Sequence, residues 1–288
     1  MSNLTEIRHH ISAVEDTRKI TNAMELVATA RAKKVIPKME YNRVFLQQVQ
    51  AVMKDLLLSP HFNDHPYLTW ESHQKRTYIV ISADKGMAGN YNSAVLGLAW
   101  KEIQGRFERR EDIHLISVGM MGDAYLRARG IIPDRQLGGV TQDPSLHNAR
   151  KLAMDVLELY DSKKTDQVFI IYTPFKGGAP APPIVRRLLP IRMSDFADIE
   201  SAQTPHEIMY HPMEAQVFSE LVPQFLVGYI FGALMHSYAS EHTARMNAMQ
   251  SATRNADEML GKLRLDYNLA RQAAVTQEIA EISSALFV

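Results

Sequence analysis

The 288-residue sequence contains no cysteine. That excludes disulfide frameworks, cysteine zinc sites and cysteine nucleophiles, and it fits a reducing compartment. Net charge is also missing: 32 lysine and arginine residues balance 32 aspartate and glutamate residues. Without a net positive field the chain is a poor general binder of nucleic acid or of an anionic membrane, although a local basic patch stays open. No long hydrophobic run occurs either. The longest, residues 225–235, falls short of the roughly 20 residues a bilayer requires. The first thirty residues lack the apolar run of a secretory signal, and Glu6, Glu15, Asp16 and Glu25 argue against a transit peptide. The expectation is a soluble or peripheral protein. What is present, 46% apolar and 22% charged residues, is ordinary for globular chains, and the length suits about two domains.

Glycine and proline are scarce at both ends. Residues 4–58 hold no glycine, and Pro37 is their only proline. Leu4, Ile7, Ile11 and Val14, then Ile20, Met24 and Val27, recur at steps of three and four, which predicts one helical stripe over a segment 1–58. Pro37 removes one backbone donor and predicts a kink or a split there. From residue 224 to 288 there is no proline, and only Gly228, Gly232 and Gly261 interrupt the run. Such a helix, about 65 residues, would extend about 97 Å. His242, Met246, Met249, Thr253, Ala256, Leu260, Leu263, Tyr267, Ala270 and Ala274 alternate steps of four and three. That is a heptad seam, and the alternative is a helix lying on a globular core.

Between these ends, residues 75–200 change pattern. Segments 76–82, 112–118 and 167–173 are short, β-branched and apolar, and read as buried strands. Helical stretches at 92–110, 121–129 and 144–162 separate them, the mark of a parallel sheet covered by helices. Residues 184–191 supply a further candidate strand, and 195–211 reads as a polar connection. The fold class expected is therefore α/β: a long antiparallel coiled coil of N- and C-terminal helices (1–58 and 213–288) with an inserted Rossmann-like parallel-sheet domain (75–200). One helix enters the insert and one leaves it, so a pair must run antiparallel. Residues 1–60 hold nine basic and six acidic side chains, and residues 214–288 five basic and eight acidic. The opposite surpluses favour pairing modestly. The last apolar residues, Ile279, Ile282, Leu286, Phe287 and Val288, form a helix tip that asks for an external apolar socket. A terminus folded back on the insert is the other reading.

No catalytic constellation emerges. The turn Asp84-Lys85-Gly86-Met87-Ala88-Gly89-Asn90-Tyr91-Asn92 joins a strand to a helix, but it matches neither G-x-x-x-x-G-K-[ST] nor G-x-G-x-x-G. It reads best as a tight turn without a ligand. His206 and His211 are one residue too far apart for H-E-x-x-H geometry. They and the pair His61 and His65 read as surface residues. No cofactor or metal is expected. Arg31, Lys33, Lys34 and Lys38 form either a solvated face or a contact for acidic loops of a partner. Nucleic acid is a third reading, disfavoured by the charge balance and the lack of an aromatic platform. The apolar run at 225–235, with Gly228 and Gly232 four apart, predicts burial against the inserted domain with close backbone approach.

Three segments carry a family resemblance. NLTEIRHHISAVEDTRKITNAMELVATARAKK at 3–34 resembles the N-terminal helix of the F-type ATP synthase gamma subunits of bacterial type. DKGMAGNYN at 84–92 resembles their glycine turn, and the stretch from Ser240 to Ala285 resembles their C-terminal helix. The resemblance implies a central-stalk rotor, without catalysis of its own, in ATP synthesis and hydrogen-ion transport. It turns inside a hexameric ring of alpha and beta subunits, with its foot on the c-ring beside the epsilon subunit. Membrane association would then be indirect and peripheral, at the cytoplasmic face of the bacterial cell membrane. By motif, Arg271 and Gln272 would meet catch loops. Met24, with Lys19 and Arg31, would lie where an acidic lever touches the shaft. Ile279, Ile282 and Leu286 would turn in an apolar bearing. Arg271 has a structural alternative, an ion pair with Asp266 or Glu278. The sequence departs from the family at Ala88, where many members carry cysteine, at Lys85, where many carry arginine, and at Pro37. The competing readings are a non-enzymatic coiled-coil scaffold and a small-molecule enzyme using the glycine turn.

Overall fold

The computed structural model describes residues 2–59, 62, 65–68, 75–105, 112–199 and 213–285. The elements in order are α1 (Ser2–Leu58), β1 (Arg76–Ile81), α2 (Tyr91–Gln104), β2 (Ile113–Val118), α3 (Met120–Arg127), β3 (Arg135–Leu137) and α4 (Leu146–Asp161). After these come β4 (Gln167–Tyr172), β5 (Phe175–Lys176), β6 (Ala179–Pro180), β7 (Ile184–Leu189), a 3-10 turn (Met193–Phe196) and α5 (Glu214–Ala285). The chain divides into two compact units, one of residues 1–30 with 245–288 and one of residues 31–244.

In the larger unit, five strands lie in the order β3-β2-β1-β4-β7. The first four are parallel, and β7 closes the edge antiparallel to β4. The strand alternation sorts side chains onto two faces. Ile79, Ile81, Ile116, Val118 and Ile170 point to one core, which is built with α4, residues 49–56 of α1 and residues 218–234 of α5. Tyr78, Val80, Leu115 and Ile171 point to the other, covered by α2 and α3. The candidate strand at 184–191 is realised as β7 over Ile184–Leu189. β3 reads Arg-Gln-Leu and has no apolar run to betray it, so the sequence does not announce it. β5 and β6 form a small hairpin over Gly177 and Gly178, both at positive φ.

Gly119 explains how β2 turns into α3. Its φ is 95°, and a Cβ there would meet the Ser82 carbonyl oxygen at 2.3 Å. Ser82 uses its hydroxyl as the hub, donating to the Val118 carbonyl and accepting from the Gly122 amide at 2.8 Å.

Two expectations are corrected. Of the kink or split expected at Pro37, the split is overturned, since α1 is one helix from Ser2 to Leu58. The Pro37 ring faces solvent, and packing on either side holds the helix: Val35 and Met39 lie against Met235 and Ala239. Asn42 donates from Nδ2 to the Gly228 carbonyl at 3.0 Å. A second proline, Pro223, is likewise accommodated inside α5. The second correction concerns Gly228 and Gly232. They admit α1 rather than the inserted sheet, with Leu46, Phe45 and Asn42 the nearest side chains. By length and composition α5 is a helix that could cross a membrane. Phe218, Val222, Leu226, Ile230 and Leu234 are nevertheless buried in the core, so this apolar stretch serves packing.

Candidate functional site

A parallel sheet of this order opens a crevice at the carboxyl ends of the strands where the connections change direction, here between β1 and β4. That crevice is where a nucleotide would bind, and here it is full. Ser240 of α5 donates to the carbonyls of Thr173 and Pro174 at 3.2 and 3.1 Å. The Phe175 amide donates to Nδ1 of His236 at 3.1 Å. Ala244 packs on Ala83, Ala88 and Tyr91. The departure at Ala88 is therefore structural: it is a small buried contact beneath α5.

The glycine turn is equally committed. The Asp84 carboxylate accepts from the amides of Met120 and Gly139, both at 3.1 Å, and from the Thr141 hydroxyl at 2.7 Å. Asn92 accepts from the Ala83 amide at 2.9 Å. The α3 N-terminal amide that would hold a phosphate is spent on Asp84. Among the described residues no cluster could hold a metal ion. His65 proves buried rather than superficial: it bonds Ser219 at 2.8 Å and stacks among Phe62, Tyr67 and Phe218. Burial holds its pKa below the ordinary value. His61, His206 and His211 lie outside the described residues.

In the smaller unit, residues 2–30 of α1 pair antiparallel with α5. Val14 packs with Ala256 and Leu260, flanked by Ile11 and Leu263. Thr21 and Thr253 share a hydrogen bond of 2.8 Å. Arg18 pairs with Asp257, and Arg264 pairs with Glu15 at 2.9 Å. The heptad seam is real: from Met246 to Ala274 each of its positions is buried or half-buried. Apolar burial supplies most of its stability, because the two ion pairs are about half exposed and worth about 0–1 kcal/mol each.

The expected stripe on α1 is only half right. Leu4, Ile7, Ile11 and Val14 face the seam, but the 3.5-residue period carries it on to Thr21 and Ala28. Ile20 and Val27 are 60% and 52% exposed, and Met24 between them is half-buried. With Leu26, 65% exposed, they form an apolar face turned away from the partner helix. The signal that finds this face is the heptad register itself, which small Thr21 and Ala28 disguise.

Five of the sequence-derived contact residues, Lys19, Arg31, Arg271, Gln272 and Ile279, fall on solvent-facing positions. Lys19 is exposed and pairs locally with Asp16 at 3.0 Å. Arg31 is exposed at the start of the larger unit, as are Lys33, Lys34 and Lys38. Arg271 and Gln272 are exposed, and Arg271 has no ion pair among the described residues. Past Ala274 the described side chains as far as Ala280 are exposed, Ile279 at 62%. Ile282 belongs to the helix, its side chain outside the description. Leu286, Phe287 and Val288 also lie outside the described residues.

The family model described as ATP synthase matches residues 3–286. The ATP synthase gamma chain of Alkaliphilus metalliredigens is 34% identical over 98% of this chain and 96% of its own length. That of Heliobacterium modesticaldum is 34% identical over 98% and 97%. The chain belongs to the ATP synthase gamma chain family. Its fold is also that of a Euglena gracilis mitochondrial ATP synthase chain from an OSCP/F1/c-ring structure, at TM-score 0.68, 15% identity and coverage of 99% and 94%. A chain of the Tetrahymena thermophila mitochondrial central stalk and c-ring gives TM-score 0.60 at 24% identity, covering 81% of this chain and 99% of that one. Family membership makes this chain a non-catalytic stalk subunit with a rotor role, which accords with a sheet crevice filled by its own helix.

Proposed function

We propose that this chain is the central-stalk rotor that couples ion translocation through the membrane sector to ATP synthesis or hydrolysis in a ring of alpha and beta subunits. The carrying observation is the unequal surface of the helix pair. One side is a tight seam, and the others present an apolar patch at Ile20, Leu26 and Val27 and a polar run at Arg271 and Gln272. A shaft of this kind makes different contacts with each of several like subunits. Differential contact is what biases their conformations.

In this reading Met24, Lys19 and Arg31 meet an acidic element of a beta subunit. Arg271 and Gln272 meet loops of the ring, and Ile279, Ile282 and Leu286 turn in an apolar bearing. The epsilon subunit and the c-ring are the partners at the foot. The chain reaches the membrane only through them, at the cytoplasmic face of a bacterial cell membrane. The test is an assembled synthase whose rotor lacks residues 271–288. Weakened assembly or torque is expected, and unchanged synthesis rates would favour a passive scaffold. The pure chain should hydrolyse no ATP, and sustained turnover would overturn the reading.

A further inference from the structure

Within the larger unit, α1, α4 and α5 enclose an open groove of about 660 Å³. Its walls are aromatic and aliphatic: Tyr41 and Phe45 from α1, Met154 from α4 and Phe231 from α5. That volume and lining match sites for small molecules, which are concave and mostly apolar with few polar groups. Core packing does not account for the surface. Tyr41 is 79% exposed, and Phe45 and Met154 are also open to solvent.

Charge selects the occupant. Two cations, Lys38 and Arg150, line the groove, and no carboxylate joins them among the described residues. Neither cation has an ion pair among the described residues. A neutral apolar guest would leave both charges without use, and a cationic one would be repelled. A chain bearing one anionic end satisfies both features, because a carboxylate gains charge-assisted hydrogen bonds from the cations while its alkyl tail covers the aromatic walls. We infer that this groove is a binding site for a single-chain amphiphile with an anionic head, of the class of free long-chain carboxylates. Bound there, it bridges α4 to α1 and α5.

The probe is dodecanoate below its micellar concentration, titrated into the full chain and into the assembled complex. A diazirine-tagged analogue then maps the contact by peptide mass. Saturable binding is expected, with label on peptides containing Tyr41 or Met154. Dodecanol and dodecyltrimethylammonium should each bind at least tenfold more weakly. Lys38→Glu with Arg150→Glu changes only exposed or rim groups and should weaken dodecanoate at least tenfold, with unchanged circular dichroism. Equal affinity for all three probes, or label confined to other peptides, overturns the proposal. So does label on the isolated chain that vanishes in the complex, because the groove then belongs to a protein partner. Binding only to anionic vesicles, with none to monomeric dodecanoate, overturns it as well.

Discussion

Leu260 and Leu265 lie five residues apart on α5, yet they should behave oppositely when cut to alanine. Leu260 is 5% exposed and packs on Val14 in the helix seam, whereas Leu265 is 61% exposed. Leucine and alanine have similar helix propensity, so the comparison isolates packing from backbone preference. Burying a leucine and losing it to a cavity costs about 2–5 kcal/mol in a well-enclosed core. A two-helix seam is reached by solvent on both flanks, so the lower part of that range, about 2–3 kcal/mol, applies to Leu260→Ala. Every 1.4 kcal/mol is tenfold in an equilibrium, so local opening should rise roughly 30- to 140-fold. Leu265→Ala, with little to lose, should stay within about 0.5 kcal/mol.

Amide hydrogen exchange read by mass spectrometry resolves this without a global unfolding transition, because the helix pair can open separately from the sheet. Peptides around Val14 and around Leu260 should lose protection together in Leu260→Ala, which a lone helix could not do. Peptides from β1 and β4 should not change. Equal loss of protection in the two variants, or loss around Leu260 with none around Val14, would refute the seam as described.

Gly119→Ala should cost several kcal/mol or prevent folding, because its Cβ meets the Ser82 carbonyl. Gly130→Ala, also at positive φ but with open space around it, should cost only about 1–2 kcal/mol. Thermal melts separate the two. Burial lowers the pKa of both His65 and His236 from 6.5, so the fold favours their neutral forms. Their contribution is present above pH 6.5 and is lost as pH falls through their lowered folded-state values. Urea titrations between pH 7.5 and 5.5 should show that decline, and His65→Gln should flatten it. A double-mutant cycle on Arg18 and Asp257 should return no more than about 1 kcal/mol of coupling, falling with salt, since both side chains are half exposed.

What the sequence made legible, and what it hid, follows from which residues carry the signal. The α5 seam could be read because its positions alternate steps of four and three over four heptads, and the strands because β-branched runs stand between helical ones. α1 misled because its seam uses Thr21 and Ala28, while larger Ile20 and Val27 lie outside it. Hydrophobicity marks what avoids water, without saying whether the cover comes from the same chain or from another. Pro37 misled in the opposite sense: propensity weighs one missing hydrogen bond, and tertiary contacts at Val35, Met39 and Asn42 outweigh it. The filled crevice was invisible for a different reason. Ser240, His236 and Ala244 stand more than sixty residues from the groups they meet just past β4 and at the glycine turn, and no local pattern encodes that meeting. Their effect is structural: the carboxyl end of the sheet becomes an anchor for a helix. Where the family's chemistry is done by other chains, the residues that matter on this one are those it leaves uncovered, and among the described residues none covers Ile20, Val27 or Ile279.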